Sequence, residues 1–295
     1  MAISHEFNYE KPASLGVALA LLSQYGSKAK ILAGATDLAV QLKEGTVAPQ
    51  CLIDIKGLPE LNTLGIQEGQ FVIGANVTFQ ELVESELVRR EIPMLSQSSH
   101  TVASVGVRNR ATIAGNICSA VPSLDAAPVL LVYDAVVVVR GERGQREIRI
   151  TDWFKAPRKT ALAEDELVVE IRIPLPGVRH CGVYVKLGRY RGEDLAQAGV
   201  GVLVTESNEY RVAFNAVGPI PLRSARLEAL LAGKTLDDAL LKQARDLVPT
   251  EISPITDIRA SREYRIHMCQ VMLERSLRAA ADHLAGKPID FEHLV

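Results

Sequence analysis

Apolar and polar positions change rhythm several times along the chain, and each change predicts an element. Ser14 to Tyr25 opens on a serine able to cap and continues with apolar residues on a helical stripe. Ile31-Leu32-Ala33 is an apolar strand that breaks at Gly34-Ala35 into Thr36 and Asp37, which can cap a helix carried by Leu38, Val40 and Leu42 as far as residue 44. Cys51 to Ile55 reads as a short buried strand. Leu58 and Leu61 close a small alternating α/β lobe over residues 1–60. Phe71 to Ala75 is a further strand, Thr78 caps a helix over Phe79 to Ser85, and Pro93 falls in the first turn of a helix from Ile92 to Val102.

The stretch from Thr101 to Asp125 follows neither rhythm. Arg108 to Asn116 (RNRATIAGN) is too irregular for an amphipathic helix and too polar for a core strand, so it reads as a long ligand loop. Small residues around Gly115 let backbone come close to a ligand, backbone N–H groups can then face an anion, and Thr112, Asn116 and Ser119 add side-chain partners. A tight turn between two strands would carry the same Gly-Asn pair. The Gly34–Asp37 turn shifts the balance, because a strand, a small-residue turn and a helix start also suit an anion. Two such turns suggest two phosphates, or one diphosphate held from both sides.

Beyond residue 125 regular patterns return. Asp125 stands at the positive end of a helix from Ala126 to Tyr133 that admits Pro128 in its opening turn. Val136 to Val139 is a core strand, Gly141 to Gly144 a charged turn, and Arg146 to Ile150 its hairpin partner. The acidic run Glu164–Glu166 is a solvated turn before a half-exposed strand from Leu167 to Ile173. Pro174, Pro176 and Gly177 end strand pairing and close a second unit over residues 61–177. Residues 182–187, 197–205 and 210–218 then read as three strands, with helices over 223–233, 236–248 and 261–286, a separate α+β domain over 178–295. Tyr264, Met268, Val271, Met272, Arg275 and Leu277 recur along the last helix as core filling. Lys186 to Asp194 is an exposed loop between two strands.

AGATDL at 33–38, followed by RNRATIAGN at 108–116 and then Asp125, resembles the FAD-binding subunit of the molybdenum hydroxylases. The likeness runs over nearly the whole chain, from Phe7-Asn8-Tyr9 to the helical C-terminus. It implies an α+β fold: a two-lobed FAD-binding domain of the vanillyl-alcohol-oxidase/PCMH type, then a C-terminal α+β domain with a three-stranded sheet and helices. It also implies cofactor contacts from Ile31, Leu32, Ala33, Gly34, Ala35, Thr36, Asp37 and Leu38 in the first turn. Ala103, Val107, Thr112, Ala114, Gly115, Asn116, Cys118 and Ser119 follow from the second. By the same resemblance Asp125 meets the ribose or diphosphate region, Leu167 the isoalloxazine ring, and Lys186 supplies a cation near that ring, which would favour the reduced flavin. The family's AGGTD and TIGGN are AGATD and TIAGN here. A positive φ at Ala35 or Ala114 would cost about 1 kcal/mol or more relative to glycine.

The function implied is electron transfer. FAD on this chain would take electrons from 2Fe–2S clusters of a small partner and pass them to an external acceptor. A large partner would carry a molybdopterin-type molybdenum cofactor, in a dimer of heterotrimers. A self-sufficient FAD-dependent reductase or oxidase, and a flavin-free scaffold favoured by the two alanines, are the other readings. No residue of this chain is assigned as catalytic: it has no Ser-His-Asp array and no paired carboxylates of defined geometry. His100 is not expected to attach flavin covalently.

Composition adds exclusions. A chain of 295 residues exceeds one ordinary core, so two or three subdomains are expected. A net charge of -2 with 47% apolar residues gives no footprint for nucleic acid. No apolar run reaches membrane-spanning length and no leader pattern opens the chain, which places it in the cytoplasm as an expectation. Cys51, Cys118, Cys181 and Cys269 lack CxxC spacing, so neither a metal nor a cluster is expected on this chain.

Overall fold

Parallel pairing builds the first lobe of the computed structural model, which describes residue 3, residues 5–190 and residues 193–295. Its elements are β1 (Asn8–Glu10), α1 (Leu15–Tyr25), β2 (Ala29–Leu32), α2 (Leu38–Glu44) and β3 (Cys51–Asp54), with sheet order β1-β3-β2. Parallel neighbours need crossovers, and α1 and α2 supply them. Ser14 caps α1 as predicted, its Oγ accepting from Val17 N at 3.4 Å. Asp37 makes no side-chain cap on α2, contrary to expectation, because it already has helical backbone angles.

The second lobe contains β4 (Leu64–Gln67), β5 (Gln70–Gly74), α3 (Phe79–Glu84), α4 (Glu86–Glu91), α5 (Pro93–His100), α6 (Val105–Arg108), α7 (Ile113–Ser119) and α8 (Ala126–Val132). It continues through β6 (Val136–Gly141), β7 (Gly144–Arg149), α9 (Ile150–Trp153), the β8 (Phe154–Ala156) and β9 (Lys159–Thr160) ribbon, and β10 (Leu167–Pro174). The sheet runs β4-β5-β10-β6-β7, every pair antiparallel. Thr78 and Glu81 form a full capping box on α3. Two expectations are corrected here. α4, capped by Ser85, lies between the two helices read from sequence. The supposed ligand loop is largely helical, as α6 and α7. α6 has four residues and α7 seven, too short for a hydrophobic period to register.

Glu166 is more than part of a solvated turn. Its carboxylate takes both Nε and Nη2 of Arg146, at 2.6 and 2.7 Å, and accepts from Ala163 N at 2.9 Å. The fork ties the β6–β7 hairpin to the approach to β10. One apolar core runs through both lobes, from Leu19, Leu22 and Ile53 to Phe71, Ile73 and Ile171.

The C-terminal domain holds β11 (His180–Leu187), β12 (Ala198–Thr205), β13 (Tyr210–Asn215), β14 (Leu222–Arg223), α10 (Ala225–Leu231), α11 (Asp238–Glu251) and α12 (Arg262–Leu284). The sheet has four strands rather than three, since Leu222 and Arg223 pair with Phe214 and Ala213. Two residues carry no readable alternation, and the sequence pattern assigns Arg223 to the following helix. On α12 the buried stripe is Cys269, Met272, Leu273, Leu277 and Ala280, while Tyr264 and Arg275 are exposed.

Strand alternation divides this sheet between two cores. Val183, Val185, Val200, Val202, Val212 and Phe214 face α11 and α12. Gly182, Tyr184, Gly201, Leu203 and Ala213 face the second lobe. Glycine is required there: a Cβ on Gly201 would lie 2.9 Å from Pro128 Cβ of α8, and one on Gly182 2.8 Å from Met94 Sδ of α5. Arg211 and Arg223 then clasp Asp134 at the end of α8.

Candidate functional site

The two turns singled out from sequence meet. A Cβ on Gly34 would stand 1.9 Å from the carbonyl oxygen of Arg110 and 2.9 Å from the Cα of Ala111, so only glycine lets the β2–α2 turn rest on the segment before α7. That segment is fixed from the other side by Phe79 N donating to Ala111 O at 3.0 Å and Ile113 N to Val77 O at 3.3 Å. A cavity of about 1250 Å³ opens between them, walled also by β10, β11 and the loop after it. Pockets for small ligands usually measure roughly 300–1,000 Å³, so this one suits a longer guest. All residues carried over by the resemblance line it except Leu32, which lies within β2.

Donors collect at one end. Among the described residues, the N–H groups of Gly34, Ala35, Thr36 and Asp37 reach no carbonyl of the chain. Ala35 sits at φ 62, so its methyl group occupies a left-handed conformation that favours glycine. Ala114 does not share this strain, being an ordinary residue of α7. Thr112 Oγ1 is engaged as the cap of α7, accepting from Gly115 N at 3.0 Å, and the Ser119 hydroxyl donates to Asn116 O at 2.9 Å. Asn116 Oδ1, by contrast, is buried without a partner. Such an atom is costly unless something in the cavity donates to it. Two further cavity residues, Ala103 at φ 38 and Arg158 at φ 60, also hold left-handed backbone.

The other end is organised by β11. Lys186 Nζ lies 2.8 Å from Asp125 Oδ2 and donates to Thr101 O at 2.9 Å. Tyr184, two residues earlier and hence on the same strand face, donates to Asp125 Oδ1 at 2.8 Å. Asn215 completes the row. Its amide donates to Leu124 O at 2.9 Å, and the missing Cβ of Gly199, its neighbour in register, leaves the space it needs. Burial pushes the Asp125 carboxyl upward, with Lys186 and Tyr184 opposing the shift. Burial and the adjacent carboxylate hold the Tyr184 hydroxyl well above the ordinary phenol range. Asp125 therefore has both oxygens committed within the protein, and it does not cap α8. Tyr184 and Asn215 were missed from sequence. The alternation that places Lys186 on this face also places Tyr184 there, which is the signal that could have found it.

Leu167 and Val168 add apolar wall at the start of β10, where a register shift between Val168 and Glu170 marks a bulge. Cys118 faces the cavity with its thiol pushed up to about 12 by burial. His100 is exposed and is not among the lining residues. Arg189, Tyr190, Glu193, Asp194 and Arg259 rim the mouth, while Arg191 and Gly192 lie outside the described residues. Among the described residues no helix is long and apolar enough to cross a membrane.

The cavity's mixed character fits a flavin dinucleotide: among the described residues the uncommitted N–H groups of residues 34–37 suit a diphosphate, and Ile31, Leu167 and Val168 offer apolar wall. Comparison with known proteins agrees. Residues 5–176 match the family described as the FAD binding domain in molybdopterin dehydrogenase, and residues 183–280 match the CO dehydrogenase flavoprotein C-terminal domain. The carbon monoxide dehydrogenase medium chain of Hydrogenophaga pseudoflava is 34% identical over 282 residues, covering 94% of this chain and 98% of that one. The xanthine dehydrogenase FAD-binding subunit of Escherichia coli O157:H7 is 30% identical over 286 residues, covering 95% and 98%. The structure of carbon monoxide dehydrogenase from Hydrogenophaga pseudoflava superimposes with a TM-score of 0.91 over 96% of this chain and 99% of that chain. Quinoline 2-oxidoreductase from Pseudomonas putida 86, 26% identical, superimposes at 0.89 over 96% and 99%. With two family domains in sequence and these relatives matched end to end, the chain belongs to the FAD-binding medium subunits of the molybdenum hydroxylases, a family of oxidoreductase subunits.

Proposed function

We propose that this subunit holds FAD across the cavity and works as the electron outlet of a three-chain hydroxylase. The observation that carries this reading is the meeting of the two turns over one cavity of about 1250 Å³, with the N–H groups of residues 34–37 uncommitted. The N–H groups of residues 34–37 face the diphosphate, with Thr36 and Asn116 adding side-chain contacts, and Ala103, Val107, Ala114, Gly115 and Cys118 close the wall around it. Thr112 accepts from Gly115 N, which leaves its hydroxyl proton to donate, whereas Ser119 spends its proton on Asn116 O and contributes shape. Ile31, Leu167 and Val168 exclude water along the apolar part. Lys186, held by Asp125, presents a charge that its partner largely balances. When bound, FAD supplies the capacity to accept two electrons and release them again.

On this reading the electrons come from 2Fe–2S clusters of a small partner, and a large partner bears the molybdenum cofactor. The complex is a dimer of such heterotrimers working in the cytoplasm, and residues 1–60, 61–177 and 178–295 act as its three units in this chain. The chain's own side chains bind and orient the flavin.

The test uses the co-purified complex. Iron, molybdenum and flavin are quantified, and flavin bleaching is followed anaerobically with the substrate that supports dye reduction. Bleaching that requires the small partner supports the reading. Turnover of a small substrate by this chain alone would favour a self-sufficient flavoenzyme instead.

A further inference from the structure

Arg108 is a buried guanidinium that has no carboxylate partner among the described residues. It is 6% exposed, at the end of α6. Its Nη1 donates to three carbonyls, those of His100 at 3.2 Å, Val102 at 3.0 Å and Ala103 at 2.9 Å, and its Nε donates to Gln80 Oε1 at 3.3 Å. These carbonyls belong to the last residue of α5 and to the turn just past it, where the helix offers none of its own donors. The planar fork anchors Nε on Gln80 while Nη1 shares its two hydrogens among the three carbonyls, a two-point hold that a single ammonium nitrogen does not reproduce.

The turn it gathers is a wall of the cavity. Val102 and Ala103 line it, and Ala103 is held at φ 38, a conformation that costs an L residue free energy unless its surroundings enforce it. The remaining carbonyl of the same turn, Thr101 O, receives Lys186 Nζ at 2.9 Å. One segment of four residues thus connects the guanidinium, the strained alanine and the buried Lys186–Asp125 pair.

We propose that Arg108 is a positioning residue for the flavin site: it fixes the 100–103 turn in its strained form, so that the cavity wall is preformed before FAD arrives. This rests on the FAD reading given above. Without the fork, Ala103 relaxes toward negative φ and the wall must be ordered at the moment of binding, which weakens affinity.

The test is FAD titration of the full chain, followed by flavin fluorescence, in wild type, Arg108→Lys, Arg108→Met, Ala103→Gly and Arg108→Met/Ala103→Gly, with thermal unfolding of each. Arg108→Met is expected to weaken FAD binding by about tenfold or more. Arg108→Lys, which keeps the charge and loses the fork, should also weaken it measurably. Ala103→Gly in the Arg108→Met background should restore part of the loss, because glycine adopts the turn without enforcement; a purely structural role would not yield that rescue. If wild type binds FAD while Arg108→Lys binds equally tightly, the proposal is overturned, and this holds even should Arg108→Met fail to fold. Additive losses in the double variant overturn it as well. A wild-type chain that binds no FAD overturns the underlying reading instead.

Discussion

Lys186 reaches across from the C-terminal sheet to place its ammonium 2.8 Å from the carboxylate of Asp125, at the start of α8 in the FAD-binding domain. The pair is buried on both sides, with side-chain exposures of 8% and 10%. It joins two domains at the edge of the cavity. A buried pair broken from one side leaves an uncompensated charge, which typically costs about 3–5 kcal/mol.

Lys186→Met should therefore destabilise the chain by about that amount at neutral pH, and the loss should depend on pH in a definite sense. Burial already raises the Asp125 carboxyl, and the variant removes the ammonium that opposes this. The folded state then binds a proton more tightly than the unfolded chain. The associated stability is full below the unfolded value of 3.8 and is lost as pH rises through the elevated folded value. Thermal unfolding of Lys186→Met against wild type should show a penalty that shrinks on acidification. A penalty independent of pH would contradict this.

Gly34→Ala and Gly115→Ala should differ sharply. The first sets a methyl group 1.9 Å from a backbone oxygen of the opposing turn, and the backbone cannot step aside cheaply. A loss at or beyond the upper end of roughly 1–3 kcal/mol is expected, together with loss of flavin. The second meets only Thr112 Oγ1, at 3.1 Å, within a helix, so its change should stay within about 1 kcal/mol. Urea unfolding and flavin content of both variants check this.

Restoring the family glycines should work in opposite directions. Ala35→Gly removes a left-handed alanine at φ 62 and should stabilise the chain by about 1 kcal/mol. Ala114→Gly puts glycine into α7 and should destabilise it by roughly 0.5–1 kcal/mol. The two denaturation midpoints, moving up and down respectively, are the readout.

The contrast between those alanines shows how far sequence reached. Equal strain had been allowed at both, and only the backbone distinguishes them. Long periodic elements were legible: α1 with its Ser14 cap, the valine strand β6, the three long C-terminal strands. α4, α6, α7 and β14 were not: each holds less than two periods of its own pattern, and in α7 the small and polar residues Gly115, Asn116 and Ser119 hide what period there is. The cavity residues were legible through small-residue turns and the family likeness. What stayed hidden was the partner of each polar group. Asp125 was read as facing a ligand or a helix end and instead accepts from Lys186 and Tyr184, residues some sixty positions away. Sequence places such groups on a strand face; only tertiary packing decides what that face meets.

The cysteines should be inert in the native chain. Burial pushes the thiols of Cys118 and Cys269 up to about 12 and that of Cys181 to about 11, and raises Cys51 as well. A thiol protonated at neutral pH reacts slowly, and three of the four are also buried, Cys118 being partly exposed on the cavity wall. Intact mass after brief iodoacetamide treatment should show no adduct, with four appearing after unfolding. Rapid native labelling of Cys118 would mean that the cavity wall is open.

The account depends most on the claim that two turns hold one dinucleotide, and FAD titration of the full chain tests it. Saturation at one equivalent is expected, and Asn116→Leu, which removes the side-chain amide from the cavity wall, should weaken binding by about tenfold. A wild-type chain that stays colourless in excess FAD, or an Asn116→Leu variant that binds as tightly as wild type, would contradict it.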